Sequence, residues 1–95
     1  MLNRALRLPT RAFVQVRSPR GGFDATIGNL SAGGARLVGV PEQTIIVGDW
    51  IAIHCVGQNF MAEVRWHFDD TCGLMFEDPL TDDQIMTILG SRVMM

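Results

Sequence analysis

The chain contains no lysine and no tyrosine, and eight arginines carry all of its permanent positive charge. A surface that binds any polyanion can use lysine freely. Arginine is required where a planar, forked donor must match a phosphate, a carboxylate or the edge of a base. Acid is missing from one end: none of the ten acidic residues precedes Asp24, whereas Arg4, Arg7, Arg11, Arg17 and Arg20 all do. The start is therefore cationic and the body anionic, although the formal net charge is only -2. No apolar run approaches the ~18–20 residues that a membrane-spanning helix needs, which excludes that form of membrane insertion. The basic start has no apolar stretch behind it, so it does not read as a secretory signal, and a cytoplasmic location is expected. Two cysteines, Cys55 and Cys72, are too few for a disulfide framework and lack metal-ligand spacing. His54 beside Cys55 is no catalytic pair, because neighbours on a strand point to opposite faces. No acid–base pair, nucleophile constellation or metal cluster is present in the sequence, so an enzyme is not expected and no catalytic residue, metal or cofactor is assigned.

What is present reads as short strands. Ala12, Val14 and Val16 alternate with Phe13 and Gln15, and Phe23, Ala25 and Ile27 alternate with Asp24 and Thr26. Further extended runs are "ARLVGV", "DWIAIHCV", "FMAEVRWHF" and "CGLMFE", separated by turn residues such as Pro19, the Gly21–Gly22 pair and the Asp69–Asp70 pair. In the fifth run Phe60, Ala62, Val64, Trp66 and Phe68 share one phase. Six such strands predict a small antiparallel barrel or sandwich. The period then changes. Thr81 is placed as an N-cap with Gln84 three residues on, Asp82 and Asp83 suit the positive end of a helix dipole, and Ile85, Met86, Ile88 and Leu89 give one apolar face. One short C-terminal helix is expected, packed on an open end of the barrel. The expected division is an arginine-rich arm over residues 1–12 and a barrel with its helix over residues 13–95.

Two stretches carry chemistry. "RLPTR" places Arg7 and Arg11 four apart, with Pro9 between them disfavouring a helix interior. One guanidinium can fork onto the O6 and N7 edge of guanine, and another can clamp phosphate or lie against a base. "NLSAGG" offers an amide at Asn29, a hydroxyl at Ser31, and Gly33 and Gly34, where no Cβ obstructs a ligand. By itself the second stretch is also an ordinary turn, since Asx-turns use the same residues. Together the two describe a pocket for a small phosphorylated guanine compound.

Arg7-x-x-x-Arg11 followed by Asn29-x-Ser31-x-x-Gly34 resembles the paired signature of PilZ domains, bacterial receptors for cyclic di-GMP. The strand order and the final helix are similar to that family over nearly the whole chain. The resemblance implies a mostly β fold, a six-stranded antiparallel β-barrel with one C-terminal α-helix. It implies that Arg7 and Arg11 hold guanine edges and phosphates, that Asn29 reaches a guanine, that Ser31 touches phosphate, and that Gly33 and Gly34 keep the approach open. Trp66 stands where some members place an aromatic residue beside a guanine; its phase with Val64 and Phe68 equally fits core packing. Arg36 and Arg65 are further candidates for phosphate or plain solvated strand residues. Leu6 replaces an arginine that some members use to hold a stacked pair of ligands, which points to one ligand molecule per site.

The function this implies is a single-domain cyclic di-GMP receptor or adaptor. It would change its surface on binding and signal to an unidentified protein effector in motility, biofilm or exopolysaccharide control. A monomer or weak homo-oligomer is expected, without nucleic acid or membrane partners. Two rivals stand beside it: a PilZ-like scaffold that works by protein contacts alone, and a small nucleic-acid-binding barrel. The acidic body and the absence of tyrosine speak against the second.

Overall fold

The structure is a computed structural model that describes residues 8–90. Six strands form it: β1 (Leu8–Ser18), β2 (Gly21–Leu30), β3 (Gly34–Val38), β4 (Trp50–Cys55), β5 (Gln58–Phe68) and β6 (Thr71–Phe76). They close an antiparallel barrel in the order β1-β2-β3-β6-β5-β4, and one helix, α1 (Asp82–Gly90), follows. This is the expected fold. β1 starts at Leu8, three residues before the expected run at Arg11, because Leu8 and Pro9 pair with Leu30 and Asn29 of β2. Leu8–Ala12, assigned from sequence to the arm, thus belong to the sheet. Arg4, Leu6 and Arg7 lie outside the described residues.

Alternation builds the core. Ala12, Val14 and Val16 of β1, Ala25 and Ile27 of β2, and Ile51 and Ile53 of β4 all point inward and are buried. Leu30, Leu37 and Val64 complete the interior with essentially no exposure. Each fully buried branched side chain contributes about 1.5–3 kcal/mol relative to exposure. His54 faces out and Cys55 in, as strand geometry requires. Neither cysteine is in a disulfide, and both are buried. Burial pushes the Cys72 thiol up to about 11, against a smaller opposing effect of a backbone hydrogen bond at Leu37. The thiol is therefore protonated and unreactive at neutral pH.

The helix has the predicted start. Thr81 N–H donates to Gln84 Oε1 at 2.8 Å and Gln84 N–H donates to Thr81 Oγ1 at 3.1 Å, a reciprocal capping box. Ile85 and Ile88 bury into the barrel end and Leu89 packs partly against it. Met86, expected on that face, is 60% exposed. It lies one residue on from Ile85, about 100° around the helix, which turns it to solvent.

Register departs from regularity in three ladders: between Pro9 and Ala12 of β1 against β2, between Ile27 and Asn29 of β2 against β3, and between Val64 and Trp66 of β5 against β6. The β3–β6, β4–β5 and β1–β4 ladders run without a shift. The third irregularity corrects the sequence reading. An extra residue in β5 reverses the inward–outward phase beyond it, so Trp66 and Phe68 leave the core and are 44% and 71% exposed.

Candidate ligand-binding groove

The irregularities converge on one outer face. Arg36 of β3 pairs with Gly73 of β6, and Gly73 with Trp66 of β5. On the other side Arg36 pairs with Asn29 of β2, and Gly28 is the extra residue between Asn29 and Ile27. The β1 irregularity then sets Thr10 and Arg11 opposite Gly28, Thr10 buried and Arg11 outward. One row across the barrel thus carries Arg11, Gly28, Arg36, Gly73 and Trp66. An open groove of about 680 Å³ lies along it, lined by residues of β2, β3, β5, β6 and the β2–β3 turn.

A glycine lets one long side chain lie down. A methyl group on Gly73 would fall inside the Trp66 indole, so the ring rests directly on the β6 backbone. A side chain at that position would lift it upright. Glycine beneath a cross-strand aromatic is a known pairing in sheets, because the ring covers a backbone that glycine leaves bare. One indole face meets Gly73 while the side chain remains 44% exposed toward the groove. Trp66 is therefore not a core residue.

The "NLSAGG" stretch forms the rim. Asn29, Ser31, Gly33 and Gly34 all line the groove. Ser31 N–H donates to the Gly34 carbonyl at 2.9 Å, and Ser31 Oγ–H reaches the same oxygen at 3.3 Å. The serine is only 6% exposed. Its hydroxyl proton is used within the turn, so Ser31 shapes the rim in addition to any contact with ligand. Gly34 has a structural reason to be glycine: a Cβ there would collide with the Leu74 carbonyl oxygen of β6. Close approach of two strands requires it. Gly33 differs, since a Cβ there meets nothing within 4 Å. The space above it belongs to the groove.

Charge is sorted. No aspartate or glutamate lines the groove, although Arg36 and Arg65 do. Arg65 is held by Met75 Sδ at 3.3 Å and lies 3.9 Å from Glu63. Arg36 has no acidic partner among the described residues. Arg11 stands beside the groove, on β1, rather than in its lining. Of the residues expected to bind ligand, the structure brings together Asn29, Ser31, Gly33, Gly34 and Trp66, places Arg11 at the edge, and does not describe Arg7. Sequence reasoning gave Gly28 no role and Gly73 only a place in the last strand. Their roles follow from cross-strand register, which alternation alone does not fix.

Among the described residues no group of histidine, cysteine, aspartate and glutamate could hold a metal ion. None of their helices is long and apolar enough to cross a membrane. The fold is similar to the PilZ domain of CeSA from a cellulose-synthesizing bacterium, with TM-score 0.67 and 16% identity over 90% of this chain and 97% of that one. It is also similar to the Bacillus subtilis inhibitor of motility MotI/DgrA, with TM-score 0.63 and 21% identity over 93% of this chain. The chain spans about half, 49%, of that protein's length. No curated protein sequence matches the chain. The PilZ domain family model matches residues 2–91, and with six antiparallel strands, a closing helix and the Asn29-x-Ser31-x-x-Gly34 turn at the groove, the chain belongs to the PilZ domain family.

Proposed function

We propose that the chain is a receptor for cyclic di-GMP that passes its state to a protein effector. The observation that carries this reading is the composition of the groove: an acid-free, arginine-bearing surface in an otherwise acidic body, with an indole laid flat on its floor. A guanine has a wide π-face, and stacking on an aromatic ring is worth about 1–3 kcal/mol per base. Guanidinium groups match phosphate and the guanine edge. Arg7 and Arg11 supply these donors, Asn29 contacts a base edge, Gly33 admits the ligand closely, and Ser31 and Gly34 hold the rim in shape. Binding presents a new surface to the effector. One ligand molecule per site suits Leu6 in place of a further arginine. The protein acts in the cytoplasm as a monomer or weak homo-oligomer and performs no catalysis.

Calorimetric titration with cyclic di-GMP, GTP and a short oligonucleotide tests this. The expected result is saturable binding of cyclic di-GMP alone. Preference for the oligonucleotide would favour a nucleic-acid-binding barrel, and no binding of any of the three would leave a scaffold. Arg11→Ala should abolish measurable binding without lowering the melting temperature, because Arg11 is exposed on the sheet and holds no core.

A further inference from the structure

We infer that Arg36 and Gly28 form a phosphate subsite beside the base platform, with Arg11 as its second cation. This rests on the cyclic di-GMP reading for its natural ligand, but the anion site is defined by its own geometry. The Arg36 side chain folds back over β2: its Nη2 and Nε lie 3.4 and 3.5 Å from the point a Gly28 Cβ would occupy. The bulge that creates Gly28 also sets Arg11 opposite it on β1. Two exposed arginines thus flank the Gly28 backbone: Arg36 lies against it beside Val38 Cγ2, which is 3.1 Å from the same point, and Arg11 stands opposite in register on β1. Neither has an acidic partner among the described residues, whereas Arg20 pairs with Asp49 and Arg65 lies near Glu63. An anion over this backbone would gain a charge-assisted contact from Arg36 and, across the β1–β2 register, a second from Arg11. Glycine matters here as at Gly73, because it lets the side chain lie along the barrel instead of standing away from it.

Spacing supports a single ligand reaching both places. Gly28 on β2 and Gly73 on β6 flank β3, two strand spacings apart, roughly 10 Å. A dinucleotide spans that distance with a base on Trp66 and a phosphate over Gly28. The arrangement assigns selectivity to two separate features, a planar platform at one end and a forked cation pair at the other.

The experiment uses the full chain and two probes, cyclic di-GMP and inorganic pyrophosphate. Calorimetry gives the affinity of wild type, Arg36→Ala, Arg36→Lys and Gly28→Ala for cyclic di-GMP at low and high salt. NMR follows the Gly28 amide and the Arg36 Nε–H during a pyrophosphate titration. Arg36→Ala should weaken cyclic di-GMP binding roughly tenfold to a hundredfold and flatten its salt dependence, with an unchanged melting temperature. Arg36→Lys should recover only part of the loss, since it keeps charge without the fork. Gly28→Ala should fold and bind less tightly. Pyrophosphate should shift both NMR signals in wild type. If wild type binds cyclic di-GMP and Arg36→Ala binds it as well, with the same salt dependence, the subsite is wrong and the receptor reading stands. If wild type ignores cyclic di-GMP yet pyrophosphate moves both signals, the receptor reading fails and the anion site survives. Silence toward both probes overturns both.

Discussion

The barrel has two unlike outer faces. Over β2, β3, β6 and β5 two ladders slip by a residue, two glycines carry side chains laid flat against them, and Arg36 is left without an acidic partner among the described residues. Around the β4–β5 hairpin the register is unbroken, and polar groups satisfy one another. Arg20 is paired with Asp49, whose carboxylate also accepts the Ile46 N–H at 2.8 Å, and His54 Nδ1 meets Asn59 Oδ1 at 2.9 Å. The same closed sheet supports both. The difference teaches that regular pairing yields a self-satisfied surface, whereas displaced residues re-aim side chains and leave bonding capacity open to a ligand.

The largest test of this contrast is Gly34→Val. It drives a branched side chain into the Leu74 carbonyl, so it should separate β3 from β6, destabilise by roughly 3 kcal/mol or more, and remove binding with the fold. Thermal unfolding checks it; a normal melting temperature would show that the strands can part freely there. Next comes Trp66→Ala. Loss of the platform should weaken cyclic di-GMP binding by about 1–3 kcal/mol, while uncovering Gly73 should lower stability by no more than about 1 kcal/mol, as calorimetry and melting together would reveal. On the regular face, Val56→Asn should work in the opposite sense. Val56 occupies the two-residue hairpin turn with φ +52°, a conformation that a β-branched residue adopts only under strain. Replacement should stabilise by about 1 kcal/mol in urea unfolding and leave ligand affinity alone. Arg20→Ala should do least. An ion pair at the surface, here with its Asp49 side partly buried, contributes about 1 kcal/mol at most, and its loss should be invisible to the ligand. An equal effect of Arg20→Ala and Arg11→Ala on binding would erase the distinction between the faces.

Much of this was legible in the sequence. Alternation at Ala12–Val16 and Phe23–Ile27 announced strands, and Thr81 with Gln84 announced the helix start, because these signals are local. The turn at Asn29–Gly34 was visible too, and the structure places four of its residues at the groove. What could not be seen was any property that depends on how strands meet. Trp66 shares a phase with Val64 in the sequence, and one extra residue between them reverses its direction. Gly34 offered two reasons for lacking a side chain, and only the position of the Leu74 carbonyl separates them. Gly28 drew no notice because the side chain that folds back over it, Arg36, lies on another strand.

The indole on Gly73 also makes the groove self-reporting. The chain has two tryptophans, Trp50 and Trp66, and only Trp66 lines the groove. With Trp50 replaced by phenylalanine, all remaining indole emission would come from the groove floor. A ring pressed against backbone has little freedom to tumble, so its polarised emission would decay with the whole barrel. A base settling on its open face would quench it. Occupancy could then be followed by light alone, with nothing attached to either the protein or the ligand.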